Sequence, residues 1–227
     1  DESNAYLVLG KLYRKKGDPQ KSLQYLKKAD KVVDSRNVQQ KAVVQGYIGD
    51  GYNQLNNANE AEQYYQQSIE YGKQARDTAL LVENFDRIND IYRQQKRSKD
   101  IISLNTRVIE RGDPTAKVDD STETIVQGPQ DDFWTQKLGQ KANLNLAAAY
   151  LESDSSEAAI EILNDLQEES GPEDLEQSRD VAKLLSEAYD QNGRHELALE
   201  EYKRYVEIQD SILKEKDLRI QATLKKN

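Results

Sequence analysis

Few residues in this chain are of the types that carry out catalysis, and none is clustered as catalysis requires. His195 is the only histidine among 227 residues, and cysteine is absent. This composition excludes Cys/His and Ser/His/Asp catalysis and the common zinc sites. His195 begins the last predicted helix, where we expect it to be a surface residue. We therefore predict that the chain is not an enzyme and has neither a cofactor nor a metal site.

Two segments have partial similarity to ligand-binding loops. Gly46, Gly49 and Gly51 lack the spacing of a dinucleotide-binding loop, and the chain has no Gly-Lys-Ser/Thr phosphate loop. Residues 119–123 resemble the start of a calcium loop, but the glycine at the sixth position and the glutamate at the twelfth are missing. We reject both kinds of site.

Charge is distributed unevenly along the chain, whose formal net charge is −9. Residues 1–111 hold 19 Lys/Arg and 15 Asp/Glu, whereas residues 112–190 hold 5 and 19. An acidic centre repels phosphates and so argues against nucleic acid as a ligand. It favours either simple solubility or a partner with a basic surface.

The sequence predicts no direct contact with a membrane. No apolar run approaches the roughly 18 residues that a membrane-spanning helix needs, and no signal peptide is present. The chain starts at Asp1, as expected for a processed protein or an excised piece. The lack of cysteine favours a periplasmic or extracytoplasmic location over a cytoplasmic one.

Five segments of the chain share one apolar framework. Each contains a small or polar residue followed three positions later by a tyrosine. These pairs are Gly10 and Tyr13, Gly49 and Tyr52, Asn89 and Tyr92, Ala147 and Tyr150, and Ser186 and Tyr189. Adjacent framework residues are 39 or 40 apart, except for 58 between the third and fourth segments. The pattern predicts an all-α protein of ten helices.

This framework resembles the tetratricopeptide repeat, with its W-x₂-L-G-x₂-Y and A-x₃-F positions. The resemblance implies a right-handed superhelical solenoid of about five helix-turn-helix repeats in a single domain over residues 1–227. Small framework residues would let the two helices of a repeat approach closely, with larger residues such as Leu26 and Tyr65 filling the gap. The predicted repeats cover residues 3–36, 37–76, 77–111, 134–170 and 173–213.

An acidic insertion at residues 112–132 separates the third repeat from the fourth. A loop of this length inside a helical array is uncommon, and two roles are open, a spacer or a binding loop. Trp134 follows it, at helical spacing with Leu138 and Ala142. It either packs at the start of the next helix or contacts a ligand.

The last helix is predicted to continue beyond the fifth repeat, because no proline or glycine interrupts residues 195–226. Residues 214–227 would form a C-terminal helical extension. We expect them either to fray in a monomer or to be held in a homodimer through Leu213, Ile220 and Leu224.

The run from Tyr205 to Lys216, with Asp210-Ser211-Ile212-Leu213 at its centre, is similar to the end of the N-terminal repeat arrays of bacterial sensor histidine kinases and related regulators. This resemblance implies a sensory or docking domain of a larger bacterial signalling protein. The alternative is a scaffold or assembly cofactor of a multi-protein envelope or secretion complex. Either would bind a protein or peptide.

The inner face of such a solenoid is formed by the first helix of each repeat. Positions one residue and one turn beyond the framework residue should point into this face. The candidate binding residues are Lys11, Arg14, Asp50, Asn53, Asp90, Arg93, Glu187 and Asp190. This set is mixed or acidic, and it does not match the Lys/Asn/Arg set with which some members of the family grip a C-terminal carboxylate.

Overall fold

The computed structural model describes residues 2–111, 132–169, 171 and 174–224, with only the backbone described for Arg111 and residues 132–135. The ordered elements of these residues are all α-helices. They are α1 (Glu2–Lys15), α2 (Pro19–Val32), α3 (Val38–Gln54), α4 (Ala58–Ala75), α5 (Thr78–Gln94), α6 (Ser98–Arg111), α7 (Asp132–Glu152), α8 (Ser156–Glu169), α9 (Leu175–Gln191) and α10 (His195–Leu224).

Helix boundaries follow from local capping chemistry. Asp18 caps α2 by accepting a hydrogen bond from the Lys21 amide at 3.0 Å, and Pro19 occupies the first helical turn. Gly17 before it has a φ of +76°, which favours glycine. Asp77 and Asp174 cap α5 and α9 in the same way. The polar turns of the sequence thus lie where one helix ends and the next begins.

The helices divide into two compact units. The first contains α1 to α5, in which each helix packs against the next along the chain. In addition, α1 contacts α3 and α3 contacts α5, so the first helices of successive repeats are neighbours. Its main apolar cluster consists of Leu7, Leu23, Leu26, Ala29, Val44 and Ile48.

Close helix approach in the first unit occurs at the predicted framework glycines. A Cβ added to Gly10 would lie 2.6 Å from the Leu26 side chain, and one added to Gly49 would lie 2.5 Å from the Tyr65 ring. Both distances are shorter than any ordinary carbon–carbon contact. The roles predicted for Leu26 and Tyr65 are therefore confirmed.

The second unit contains Ile101–Ile109 of α6 and the chain from Gly139 onward. Here α9 packs against both α8 and α10. Its apolar cluster consists of Leu144, Ala147, Leu151, Ala159, Ile160, Leu163, Leu166, Val181, Leu185 and Ala188. The framework residue Ala147 lies within this cluster, and Tyr150 and Tyr189 pack against it, as the repeat pattern predicts.

Two predictions fall outside the residues whose structure is described: the role of the acidic insertion at residues 112–132, apart from the start of α7, and the packing of the Trp134 side chain. Within the described residues, no helix is both long enough and apolar enough to span a bilayer.

Candidate functional site

The eight candidate binding residues are divided between the two units. Lys11 and Arg14 lie on α1, Asn53 and Asp50 on α3, and Asp90 and Arg93 on α5, all in the first unit. Glu187 and Asp190 lie on α9 in the second unit. Because α1 and α3 are neighbours, three of these candidates, Lys11, Arg14 and Asp50, come together in the first unit.

Asp50 is the centre of a charge cluster that joins three repeats. Its carboxylate forms ion pairs with Arg14 of α1 and with Arg87 of α5, whose Nε lies 3.2 Å from Oδ1. The Tyr65 hydroxyl donates to the same Oδ1 at 3.0 Å. The Asp50 side chain is only 10% exposed. This carboxylate is buried because these three side chains cover it.

Burial and charge act on the Asp50 carboxyl in opposite directions. Burial raises its pKa, while the Arg87 and Arg14 guanidinium groups and the Tyr65 hydroxyl oppose the rise. The net pKa is above the ordinary value of 3.8. Burial and the neighbouring carboxylate also raise the pKa of Tyr65, which stays protonated and donates its hydrogen bond.

A polar chain holds Arg87 in place. Its Nη1 donates to Asn84 Oδ1 at 3.0 Å, and Asn84 Nδ2 donates to Ser68 Oγ at 2.9 Å. Ser68 in turn donates to the Ala42 carbonyl at 2.6 Å. A Cβ on Gly46 would lie 3.1 Å from Asn84 Oδ1. The absence of a side chain at Gly46 thus leaves room for this chain of hydrogen bonds.

Tyr47 forms a second part of the cluster. Lys11 Nζ lies 4.5 Å from the centroid of its ring, and the Arg14 guanidinium lies 4.7 Å from it. Both distances are within the range of a cation–π interaction. Among the described residues, no carboxylate forms an ion pair with Lys11, and its ammonium group lies beside an aromatic ring.

We name Lys11, Arg14, Tyr47, Asp50 and Arg87 the α1–α3–α5 cluster. Arg14 and Arg87 are paired with Asp50, and the cluster contains neither a nucleophile beside a base nor a group of metal ligands. In the described part of the chain, no three acidic or histidine side chains are placed to hold a metal ion. The arrangement is suited to binding through charge and an aromatic surface.

Other candidate residues form local pairs instead of joining the cluster. Asp90 and Arg93 pair with each other at 2.7 Å within α5. Glu187 lies 3.9 Å from Lys183, and Asp190 lies 2.8 Å from the exposed His195. Asn53 is half-buried, with no side-chain partner in the described structure. These pairs are solvent-facing and worth little individually.

Sequence reasoning missed Tyr47 and Arg87. Each lies three residues before a predicted inner-face residue, Asp50 or Asp90. Three residues is close to one helical turn, so each shares a helix face with the residue that was predicted. Extending the search one turn toward the start of each first helix would have found both. Tyr65, predicted only as a packing residue, also serves as a hydrogen-bond donor.

The sequence model of the tetratricopeptide repeat matches residues 3–32, 48–71 and 184–211. No curated protein matches the chain.

Three solved structures with similar folds are distant from this chain in sequence. TPR-like repeats from a Podosopora anserina protein described as a kinesin light chain are 15% identical, with a TM-score of 0.57 over 93% of this chain and 98% of that one. BtubC from P. vanneervenii is 12% identical, with a TM-score of 0.60 over 91% and 79%. A MamA structure is 16% identical, with a TM-score of 0.56 over 94% of each chain.

At these identities the likeness shows the fold alone. Together with the matched segments and the ten helices of the described residues, it establishes the architecture. This chain is an all-α helical repeat protein with a tetratricopeptide-like solenoid fold, and three of its segments match the tetratricopeptide repeat.

Proposed function

We propose that this chain is a non-catalytic module that binds a protein or peptide at the α1–α3–α5 cluster. The repeat type supports an interaction module. The observation that carries the proposal is the pairing of Lys11 and Arg14 with the Tyr47 ring, beside an Asp50 that two arginines already neutralise. This group can offer a cation and an aromatic surface to a ligand.

The charge of the cluster favours a peptide with acidic side chains. Three cations, on Lys11, Arg14 and Arg87, stand against the carboxylates of Asp50 and Glu83, which lies 2.8 Å from Arg87. Two guanidinium groups offset the charge of Asp50, so it repels an incoming anion weakly. The sequence alone predicted a mixed or acidic inner face. In this part of the first unit the net charge of that face is therefore positive.

Fluorescence anisotropy with labelled peptide pools tests this proposal. One pool has Asp and Glu at half of its positions, and a matched pool has Lys and Arg there. We expect the acidic pool to bind, and Lys11→Ala and Tyr47→Ala to weaken binding by about tenfold. Lys99→Ala, an exposed lysine of α6 away from the cluster, is the control. Equal binding of both pools, or equal loss in the control, contradicts the proposal.

We further propose that the module is the sensory or docking part of a larger bacterial signalling protein. The observation that supports this is α10, which has 30 residues where α9 has 17. Its distal part exposes Leu213, Ile220 and Leu224, at 50%, 58% and 71%. A homodimer through these three residues would pass a signal onward. The alternative remains a scaffold of an envelope or secretion complex.

The two alternatives differ in what the gene encodes after Asn227. An output domain, such as a kinase or DNA-binding domain, supports the signalling role, and its absence supports the scaffold. Sedimentation of the chain with Leu213, Ile220 and Leu224 changed to Glu tests the dimer separately. A dimer that persists in this triple variant would show that the distal part of α10 is not its interface.

A further inference from the structure

Two exposed faces lie on α1 and α10. On α1, Leu12 is 45% exposed beside Tyr13, and on α10, Leu199 is 54% exposed beside Lys203. Tyr202 and Val206 extend the apolar face of α10. No described helix covers Leu12 or Leu199, although both belong to repeat positions that are packed elsewhere in the chain.

The packing of α2 on α3 shows how such faces fit together. A Cβ on Gly51 of α3 would lie 2.7 Å from the Leu23 side chain of α2. The Lys27 ammonium donates to the Tyr52 hydroxyl at 2.7 Å and lies 5.0 Å from the centroid of that ring. Leu23 and Lys27, which lie four residues apart on α2, thus contact the face of α3 that carries Tyr52.

A leucine and a lysine occur at the equivalent positions of α10. Ser186 matches Gly10 in the repeat framework, and the same displacement of 176 residues relates Leu199 to Leu23 and Lys203 to Lys27. In the first unit, Leu23 is buried against α3. Leu199 is 54% exposed on α10, and within the described residues no helix other than α9 packs against α10.

The face of α3 that carries Tyr52 has a counterpart on α1. A displacement of 39 residues relates Tyr13 to Tyr52 and Tyr25 to Tyr64. Tyr13 stacks on Tyr25 with ring centroids 5.3 Å apart, and Tyr52 stacks on Tyr64 at the same distance. The aromatic pair that receives Lys27 is formed by Tyr52 of α3 and Tyr64 of α4, and its counterpart is formed by Tyr13 of α1 and Tyr25 of α2. Lys16 and Lys21 already lie 5.9 Å and 5.5 Å from the centroid of the Tyr13 ring.

The first and last repeats carry opposite net charge. Residues 1–36 contain nine Lys/Arg and five Asp/Glu, whereas residues 173–213 contain five Lys/Arg and eleven Asp/Glu. Opposite charge on two surfaces speeds their encounter and disfavours pairing of either surface with itself. It therefore favours contact between the last repeat of one copy and the first repeat of another.

We propose that α10 of one copy docks on α1 of a second copy, in the way that α2 docks on α3. Lys203 then lies over Tyr13, and Leu199 packs against Leu12. Leu12 is larger than its counterpart Gly51, so the helices are held further apart and the contact is weaker than the internal one. Since the two surfaces differ, each copy keeps one free face and association proceeds head to tail.

Sedimentation velocity across micromolar to millimolar concentrations tests this contact. All test proteins carry Ile220→Glu and Leu224→Glu, so that the distal part of α10 does not associate on its own. We expect this parent protein to associate as its concentration rises, and less so at high salt, because salt screens the charge attraction. A parent protein that stays monomeric at millimolar concentration overturns the proposal.

Two variants distinguish head-to-tail docking from a symmetric dimer. Leu12→Arg blocks only the α1 face and Leu199→Glu only the α10 face, so each alone should be monomeric. Their equal mixture should form a dimer and stop there, because only one pair of intact faces remains. A mixture that stays monomeric, or association of Leu12→Arg alone as strong as in the parent, overturns the proposal.

Circular dichroism identifies any variant that fails to fold. Leu218→Glu, an apolar-to-acid change on another exposed face of α10, should associate like the parent. Should Leu199→Glu unfold, Lys203→Ala replaces it, with an expected loss of association of about tenfold. No loss in Lys203→Ala would contradict the lysine–tyrosine contact.

Discussion

The ring of Tyr65 lies directly against Gly49, so close that a Cβ on this glycine would be 2.5 Å from Tyr65 Cε1. Tyr65 is 1% exposed and its hydroxyl is held by Asp50, so the ring has little freedom to move away. This contact sets the distance between α3 and α4. It also places Tyr65 where it can reach the carboxylate of the α1–α3–α5 cluster.

Gly49→Ala is therefore expected to destabilise the protein by about 1–3 kcal/mol, the usual cost of overpacking a core. Gly139→Ala is the matched control, because its added Cβ would meet nothing within 4 Å and alanine favours a helix. There we expect a gain of about 0.5–1 kcal/mol. Urea unfolding measures both, and the same sign for the two variants would contradict the packing role of Gly49.

The second prediction concerns the hydroxyl of Tyr65. Tyr65→Phe keeps the ring against Gly49 but removes a hydrogen bond from a buried carboxylate. We expect a loss of about 1–3 kcal/mol in the free energy of unfolding. Tyr25→Phe, in a ring that stacks on Tyr13, should change it little. Equal effects would mean that the hydrogen bond to Asp50 adds nothing to stability.

The third prediction is a pH dependence that comes from Asp50. Its pKa in the folded protein is above the ordinary 3.8, chiefly because of burial. The folded state thus holds this proton more tightly than the unfolded state does. The stability that Asp50 contributes is fully present below pH 3.8 and is lost as the pH rises through its folded pKa.

The asparagine side chain of Asp50→Asn does not titrate, and all other carboxylates are the same in the two proteins. Urea unfolding of both proteins over a pH series should show the original chain losing stability relative to Asp50→Asn as the pH rises from 3.8. The opposite trend would show that Arg14 and Arg87 outweigh burial at this position.

The repeat framework was predictable because its signals are local and recur along the chain. Gly10 and Gly49 lie against Leu26 and Tyr65 as their spacing predicts. The resemblance to tetratricopeptide repeats also predicted that Lys11, Arg14 and Asp50 lie on one face, and Arg14 forms an ion pair with Asp50. Helix ends were predictable for the same reason, since Asp18 and Pro19 act within a single turn.

The burial of Asp50 was not predictable from one repeat. It depends on Arg14 and Arg87, which come from the preceding and the following repeat. Which long side chain reaches across depends on helix spacing, which the periodicity of the sequence does not specify. Glu187 lies close to Lys183, and Asp190 lies close to His195. The pattern of inner-face positions did not predict these local partners either.

The last prediction concerns the distal part of α10. Ile212 is buried, but every described residue after it, from Leu213 to Leu224, is exposed. The Lys216 ammonium lies 3.9 Å from Glu176, close to the start of α9, so α10 projects beyond the end of its packing partner. About a dozen helical residues with so little tertiary contact are marginally stable in water.

In a dilute monomer we therefore expect amide hydrogens after Leu213 to exchange much faster than those between Leu199 and Ile212. A dimer through Leu213, Ile220 and Leu224 would bury these side chains and slow that exchange as the protein concentration rises. Ile220→Glu should abolish this concentration-dependent protection, whereas Leu218→Glu, on another side of the helix, should leave it in place. Strong protection after Leu213 in a proven monomer would mean that the helix is held by its own chain, and the case for a helix that transmits a signal would lose its structural support.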